Sequence, residues 1–141
     1  MIPPLEPQRP GIPLPQPTAL TRPFWDGCAR SELWYQRCTS CSGAVFDPAL
    51  LCRRCGGADL AWSRSAGRGT VYSWSVVWRP PAPGFEVPYA VAIVDVDEGY
   101  QIITNIVACA PEAIHLGMPV EVTFHPIGDG IAFPYFRPVP G

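Results

Sequence analysis

The chain has 141 residues, of which 48% are hydrophobic and 16% charged, and its formal net charge is −2. A chain of this length forms one or two small domains, and its apolar content excludes an intrinsically disordered protein. All ten basic residues are arginines, and this acidic balance leaves too little basic surface for a phosphate backbone, which disfavours nucleic acid as the main partner.

Proline dominates the N-terminal segment, where eight of the chain's 19 prolines lie within residues 1–23. Because proline lacks an N–H group and fixes φ, we expect residues 1–20 to form an extended arm, which is either a loose terminus or a segment laid along a partner. The start of the chain lacks the basic-then-apolar pattern of a signal peptide, and no apolar run approaches the roughly 20 residues of a membrane span. We therefore expect a cytoplasmic protein that does not enter a membrane.

A short helix is predicted within residues 21–33, with Thr21 as its N-cap and Pro23 in its first turn. Asp26 and Arg30 have the spacing of an ion pair on one helix face. Four residues form the predicted apolar side: Phe24, Trp25, Cys28 and Ala29. So short a helix is marginal by itself, so it must pack either on the segment that follows or on another chain.

Four of the six cysteines form the pattern Cys38-x2-Cys41 … Cys52-x2-Cys55. Each pair lies in a tight turn rich in small residues, and two such turns direct four thiolates at one metal ion. We therefore predict one structural Zn²⁺ in a ribbon over residues 34–63; two disulfides are the alternative, which an intracellular chain disfavours. A closed four-cysteine site has no coordination position for substrate, so the zinc is not catalytic.

The remaining cysteines, Cys28 and Cys109, raise the question of a nucleophile with His115 or His125 as its base. Cys109 lies in an apolar run and Cys28 on the apolar side of the predicted helix, where a buried, inert thiol is the ordinary case. We therefore predict no catalytic residue in this chain.

Residues 64–141 carry β-strand patterns. Five strands are predicted: 70–78, 89–96, 100–107, 120–124 and 131–136. Tyr72, Trp74, Val76 and Trp78 alternate on one face of the first strand, a helical turn follows the third, and proline makes the last an edge strand. This sequence of elements fits a small closed barrel of the OB type.

Acidic residues gather at the turn of the central hairpin, between the second and third of these strands. Asp95, Asp97 and Glu98 resemble a carboxylate cluster, but carboxylates at a hairpin turn are more typical of a solvated tip. The chain also shows no internal repeat, no phosphate-binding Gly-rich loop and no Ser/His/Asp grouping. The sequence therefore predicts a mainly β protein with a metal site and no active site of its own.

The order of these parts resembles the zinc-ribbon plus OB-fold proteins associated with acyl-CoA, a family long described as a domain of unknown function. The resemblance covers residues 21–137 and rests on six motifs. These are Pro23-Phe24-Trp25-Asp26, the four-cysteine pattern, Gly67-Arg68-Gly69-Thr70-Val71-Tyr72-Ser73, Val87-Pro88-Tyr89-Ala90, Asp97-Glu98-Gly99 and Gly117-Met118-Pro119-Val120-Glu121-Val122. It implies an N-terminal helix, a rubredoxin-like ribbon and a C-terminal OB barrel. Members often begin with two helices, whereas here the arm stands in place of the first.

The resemblance also implies a function, that of a small non-catalytic subunit beside a thiolase-like catalytic chain, commonly as a heterotetramer. Such a subunit stabilises the complex and helps to shape the acyl-CoA site. The first expected reaction is an aldolase, the retro-aldol cleavage of a 3-hydroxyacyl-CoA as in steroid side-chain degradation; the next is a 3-ketoacyl-CoA thiolase. A single-stranded nucleic-acid binder is the alternative, because zinc ribbons and OB barrels also occur in that class.

Two sets of residues are candidates for contacts in such a complex. Guanidinium groups bind phosphate, so four arginines are candidates for the phosphates of CoA: Arg53, Arg54, Arg68 and Arg79. Surplus aromatic residues favour a protein interface, with four candidates: Phe24, Trp25, Trp74 and Trp78. The alternatives are solvated arginines and aromatic rings that only fill the core.

Overall fold

One α-helix, eight strands and a 3₁₀ turn make up the regular structure of residues 2–140, the part of the chain that the computed structural model describes. In chain order the elements are α1 (Arg22–Ala29), β1 (Leu33–Cys38), β2 (Ala44–Val45), β3 (Leu60–Ser65), β4 (Arg68–Val77), β5 (Tyr89–Val96), β6 (Tyr100–Ile106), the 3₁₀ turn Pro111–Ala113, β7 (Pro119–Gly128) and β8 (Ile131–Pro138). The predicted mainly β fold is confirmed. Among the described residues, no helix has the length and apolar character needed to cross a membrane.

The first three strands form a small antiparallel sheet in the order β2-β1-β3. The central strand, β1, pairs with β3 from Leu33 opposite Ser65 to Cys38 opposite Leu60. Leu33 and Tyr35 are both buried, so one face of the sheet packs against the rest of the chain. The end of β1 and the loops around β2 carry the four cysteines, and the sheet brings them to one end. This is the predicted zinc ribbon.

The other five strands close into a barrel in the order β4-β5-β6-β8-β7, as predicted. Neighbouring strands are antiparallel except β6 and β8, which run parallel where Ile106 lies opposite Phe136. There the N–H group of Val107 donates to the Phe136 carbonyl (2.9 Å). The prediction that β8 is an edge strand is therefore wrong, because barrel closure gives it neighbours on both sides. Pro134 is accommodated within it, and its carbonyl accepts a hydrogen bond from the Thr104 hydroxyl (2.8 Å).

A β-bulge in β4 alters the predicted pattern of its side chains. Val71 lies opposite Val94, whereas Trp74 lies opposite Ala92, which leaves Tyr72 as an extra residue between them. Because directly opposed residues share a face of the sheet, Val71 and Trp74 lie on the same face although they are three positions apart. The strict alternation predicted for this strand is therefore wrong at the bulge.

Helix α1 packs on its own chain. Phe24 and Cys28 are buried in the common core, whereas Ala29, predicted on the apolar side, is exposed. Gly27 is buried because the Trp34 ring lies against it; a Cβ atom at this position would be 2.3 Å from Trp34 Cδ1. The helix therefore packs closely on β1, so of the two predicted packings the structure shows the one on its own chain.

Two local details of the helix differ from the prediction. Thr21 precedes the helix, but its hydroxyl accepts a hydrogen bond from the Thr18 N–H group (2.9 Å) and does not cap the first turn. The predicted pair of Asp26 with Arg30 is wrong, because Arg30 reaches Glu32 instead, at 3.2 Å. Glu32 lies just beyond the helix, where the chain turns into β1.

Aromatic rings join the helix, the ribbon and the barrel in one core. Tyr100, at the start of β6, stacks on Tyr35 of β1 (ring centroids 4.9 Å apart) and on Phe46 after β2 (5.1 Å). Phe24 of the helix meets Phe46 edge-on at 5.4 Å. Each such pair contributes about 0.5–1.5 kcal/mol beyond the area it buries. The ribbon is thus held against the barrel by packed rings as well as by its chain connection.

Glu98, predicted to be part of a solvated tip, fastens the β5–β6 turn to the ribbon. Its carboxylate accepts hydrogen bonds from the Ser65 hydroxyl (2.5 Å) and the Ala66 N–H group (2.9 Å), at the end of β3. Its backbone carbonyl accepts a third bond from Arg37 (3.1 Å). The solvated-tip prediction is therefore wrong for Glu98, whereas the neighbouring Asp97 is exposed.

We expect Glu98→Ala to lower the free energy of unfolding by about 1–3 kcal/mol, because the Ser65 and Ala66 donors lose a charged acceptor. Chemical denaturation followed by tryptophan fluorescence measures this. Asp97→Ala, in the same turn, is the matched control and should change stability by less than about 0.5 kcal/mol. Equal effects of the two substitutions would contradict the role given to Glu98.

The N-terminal arm runs along the barrel of its own chain. Leu5 is buried and forms two backbone hydrogen bonds, from its N–H group to the Cys109 carbonyl and from the Ala108 N–H group to its carbonyl, each 2.8 Å long. The Gln8 side chain is also buried and bonds to the backbone of Glu86, in the loop between β4 and β5. The arm is therefore anchored to its own chain at two points, Leu5 and Gln8.

Candidate metal centre and binding surfaces

Four cysteine side chains converge at one end of the ribbon sheet. The sulfur atoms of Cys38, Cys41, Cys52 and Cys55 all lie within 4.8 Å of one another. The Cys38–Cys55 and Cys41–Cys52 distances are 3.6 and 3.7 Å. Zn–S bonds of about 2.3 Å place tetrahedral sulfur ligands about 3.8 Å apart. Both the donor set and its spacing therefore fit one Zn²⁺ ion.

The two metal-binding turns are built in the same way. In the first, the Ser42 N–H group donates to the Cys38 carbonyl (2.9 Å), and in the second Gly56 donates to Cys52 (2.8 Å). Ser42 and Gly56 both have positive φ, 65° and 76°, a conformation that favours small residues. This explains why serine and glycine follow the Cys-x2-Cys pairs in the sequence. The repeated geometry points both pairs of thiols at the same centre.

Backbone N–H groups directed at sulfur favour the thiolate form that zinc requires. The N–H groups of Cys41 and Ser40 outweigh burial and lower the pKa of Cys38 to about 6. Those of Cys55 and Arg54 likewise lower the pKa of Cys52. At Cys55 the Gly57 N–H group acts in the same direction, but the neighbouring thiols and burial outweigh it and raise the pKa to about 11. Zinc held here would cross-link the two turns, whose local core is small: Cys38, Val45 and Cys52, with Ala49 and Leu60 packed against them.

The two cysteines outside the cluster lack the character of nucleophiles. Cys28 is completely buried, and burial raises the pKa of its thiol to about 12. Burial also raises the pKa of Cys109, which packs against the same core. The pKa of His125, one of the two imagined bases, is lowered by burial and by Arg137. Burial and the raised pKa values disfavour nucleophilic chemistry at either thiol, and the absence of a catalytic residue stays a prediction.

We expect iodoacetamide at pH 8 to leave Cys28 unmodified in the folded protein. At this pH, well below a pKa of about 12, the thiol carries its proton, and its burial blocks access. Mass spectrometry of peptides after timed alkylation measures the modified fraction. The control is the protein unfolded in guanidinium with a chelator, where Cys28 should react fully. Rapid modification of Cys28 in the folded chain would contradict this account.

The structure separates the four candidate arginines into two groups. Arg53 and Arg54 together line a cleft of about 610 Å³ between the ribbon and the barrel. The same cleft contains Asp47 and Asp95, and Arg53 lies 3.7 Å from the Asp47 carboxylate. This is a cleft of mixed charge rather than a purely basic one.

Arg68 and Arg79, the other two candidates, are far from each other. Arg68 begins β4 and Arg79 follows its end, which is Val77. At about 3.3 Å per residue a ten-residue strand reaches up to about 30 Å, so the two arginines leave opposite ends of β4. They therefore cannot hold one phosphate group together.

The aromatic interface candidates differ greatly in accessibility. Phe24 is buried within the chain and has almost no surface left for a partner, and Trp25 is half-buried. Trp78 is 55% exposed and Trp74 36%. Other exposed apolar side chains could not be predicted, because periodicity alone does not distinguish them from core residues: Leu50, Leu51, Tyr72, Val87, Ile103 and Leu116.

Family models match the two parts of the chain separately. One, described as the ChsH2 rubredoxin-like zinc ribbon domain, matches residues 25–61; the other, the ChsH2 C-terminal OB-fold domain, matches residues 62–125. A DUF35 domain-containing scaffold protein from Methanocaldococcus jannaschii is 35% identical over 112 residues, which are 73% of this chain and 79% of that protein.

Similarity extends to proteins named for acyl-CoA chemistry. A probable enoyl-CoA hydratase alpha subunit from Thermomonospora curvata is 40% identical over 116 residues, which are 82% of this chain but only 36% of that protein. The chain thus spans about a third of that relative's length. Among solved structures, a chain of the Ltp2-ChsH2(DUF35) aldolase superimposes with a TM-score of 0.80 and 35% identity, covering 89% of this chain and 98% of that one.

Proposed function

The chain belongs to the DUF35 family, in which a ChsH2-type zinc ribbon is joined to an OB-fold domain, and from this we propose that it is a non-catalytic accessory subunit of a heteromeric enzyme acting on acyl-CoA thioesters. The observation that carries the proposal is the superposition on nearly the whole of one chain of an aldolase. A relative named as the alpha subunit of a hydratase agrees with a subunit role.

The chemistry available within the chain supports a non-catalytic role. Across residues 2–140, the four cysteines are the one group of three or more His, Cys, Asp or Glu side chains placed to hold a metal. A four-cysteine zinc site is closed to substrate, and it serves to stabilise the fold. Cys28 and Cys109 have raised pKa values and partial or complete burial. The catalytic groups would therefore come from the partner.

The first candidate reaction is an aldolase, the retro-aldol cleavage of a 3-hydroxyacyl-CoA, with a thiolase-like partner in a heterotetramer. The aldolase superposition favours it; a 3-ketoacyl-CoA thiolase is the next candidate. A hydratase partner is a second possibility of a different class, favoured by the similarity to the Thermomonospora protein. In each case the role of this chain is to stabilise the complex and help to shape the acyl-CoA site.

Two surfaces are proposed for contacts within this complex. Trp74 and Trp78 expose aromatic surface near the end of β4, and aromatic residues are enriched in protein interfaces. Arg53 and Arg54 line the ribbon–barrel cleft, and we propose them as the pair that meets CoA phosphates, because guanidinium groups bind phosphate in a bidentate way. Arg68 and Arg79 lie at opposite ends of β4 and stay candidates for separate phosphate contacts.

Affinity purification of the tagged chain from its native host tests the proposal. We expect a catalytic chain to remain bound through gel filtration, and its assay on 3-hydroxyacyl-CoA, 3-ketoacyl-CoA and enoyl-CoA distinguishes aldolase, thiolase and hydratase. Trp78→Ala should weaken the complex, whereas Leu116→Ala, the matched control, should not. Recovery of the chain as a monomer, or with single-stranded nucleic acid, would contradict the proposal.

A further inference from the structure

A second concavity lies away from the metal centre, on the outer face of the barrel. It is about 380 Å³ in volume, within the range of about 300–1,000 Å³ typical of small-molecule pockets. Helix α1, strands β5, β6 and β8, the arm and the β4–β5 loop surround it. Its walls are largely aromatic and aliphatic, and include Trp25, Phe85, Tyr89, Val91, Ile103 and Phe133. We refer to it as the apolar groove.

The aromatic walls of the apolar groove are braced in pairs. The ring centroids of Trp25 and Phe133 lie 6.0 Å apart, and those of Phe85 and Tyr89 lie 6.1 Å apart. Rings that pack on one another lose little conformational freedom when a ligand binds, so the groove is pre-organised. Ile103 is 74% exposed beside it, so the groove leaves apolar surface in contact with water.

The arm and the loop that border the apolar groove are locked together by Gln8. This side chain is 4% exposed. Its Nε2 atom donates to the Glu86 carbonyl (2.9 Å), and its Oε1 atom accepts from the Glu86 N–H group (2.8 Å). Residues on both sides of this contact, Ile12 of the arm and Phe85 of the loop, line the groove. Gln8 therefore fixes the position of one wall.

Within residues 2–140 the groove offers a ligand no charged side chain and few polar ones. Both amide atoms of Gln8 are engaged by Glu86, and the Thr104 hydroxyl is engaged by the Pro134 carbonyl. The other polar side chains of the lining are the Asn105 amide and the hydroxyls of Tyr89 and Tyr135. A diphosphate placed here would lose water and meet no cation, and these groups are too few for the backbone of an extended peptide. A neutral hydrocarbon has no such cost, and its burial is favourable.

We propose that the apolar groove binds the hydrocarbon skeleton of an acyl group, and that Gln8 is a positioning residue for its wall. The assignment of an acyl group rests on the proposed function, but binding of a hydrocarbon does not, and it is tested on the isolated full-length chain. The groove would then select for the apolar part of the thioester, while CoA itself binds elsewhere.

Methyl NMR of the zinc-loaded chain tests the groove directly, with methyl decanoate and progesterone as linear and polycyclic probes. We expect saturable shifts of the Ile12, Val91 and Ile103 methyl groups with at least one probe. The methyl groups of Leu50 and Leu51, exposed on the ribbon, are internal controls and should not shift. CoA alone should leave all of these groove methyl groups unshifted. Absence of saturable shifts, or equal shifts at the leucines, would overturn the proposal.

Two pairs of variants sharpen the test. Ile103→Asp places a charge beside the groove and should weaken probe binding by about tenfold or more, whereas Leu116→Asp, at a site 70% exposed elsewhere, should not. Gln8→Ala should weaken binding several-fold, while Gln16→Ala, in an exposed part of the arm, leaves it unchanged. Melting temperatures show whether each variant is folded. Unchanged probe affinity in folded Ile103→Asp would overturn the proposal.

The catalytic partner, once isolated, separates the remaining outcomes. If adding it displaces the probe and shifts the groove methyl groups by itself, the groove is a protein interface and the ligand proposal is wrong. If the purification captures a partner but the isolated chain binds no probe, the groove proposal is rejected and the accessory role stands. If the isolated chain binds the probe but the purification captures no partner, the groove proposal is supported and the accessory role is rejected.

Discussion

Replacing Cys52 by serine is expected to reduce bound zinc from one ion per chain to essentially none and to unfold the ribbon. Cys52 is 2% exposed, and its sulfur lies 3.7 Å from that of Cys41 at the centre of the cluster. The local core is too small to hold the two metal-binding turns alone, and structural zinc contributes about 10–16 kcal/mol in isolated zinc-finger peptides. Metal analysis and far-UV circular dichroism measure the two effects.

Cys109→Ser is the matched control, because Cys109 lies outside the cluster. It should retain one zinc ion per chain and the circular dichroism spectrum of the unaltered protein. Treatment of the unaltered protein with a strong chelator should reproduce the effect of Cys52→Ser. Full zinc content in Cys52→Ser, or disulfide bonds in place of zinc in the unaltered protein, would contradict the assignment.

Removal of the Tyr100 ring should separate the ribbon from the barrel. This ring stacks on both Tyr35 and Phe46, so Tyr100→Ala leaves a cavity where the two parts meet. Truncation of a buried aromatic residue costs about 3–5 kcal/mol. We expect urea unfolding of the variant to begin at a correspondingly lower concentration, followed by tryptophan fluorescence at a constant zinc concentration.

The Tyr100 hydroxyl provides a control that isolates the ring. Its oxygen is buried without a hydrogen-bond partner among residues 2–140, and burial raises the pKa of the hydroxyl above its ordinary value. Tyr100→Phe removes that oxygen and keeps the stacked ring, so stability should stay within about 1 kcal/mol of the unaltered protein or rise slightly. A large loss of stability in Tyr100→Phe, or none in Tyr100→Ala, would contradict the role of stacking.

Features with a short-range signature could be predicted from the sequence. The four cysteines predict the zinc ribbon, because a Cys-x2-Cys turn is a local structure that small residues such as Ser42 and Gly56 allow to form. Strands β5 and β6 follow from their apolar runs and from the turn at Gly99, which has a φ of 101°. Family resemblance extended this local reading to the order of the modules.

The features that could not be predicted depend on partners distant in the chain. The bulge at Tyr72 is defined only by pairing with β5, and β8 loses its free edge only when the barrel closes on β6. Glu98 meets Ser65 across 33 positions, and Gln8 meets Glu86 across 78. Side-chain periodicity contains no information on such contacts, which is why the anchored arm and the apolar groove emerge only in three dimensions.

Reconstitution with the purified catalytic partner tests the central claim, that this chain is an accessory subunit without chemistry of its own. Turnover of the acyl-CoA thioester would be measured for the partner alone, for this chain alone and for the recombined complex. We expect no turnover by this chain alone and an increase of about tenfold or more when the two are combined. Turnover by this chain alone, or equal turnover by the partner with and without it, would contradict the accessory role.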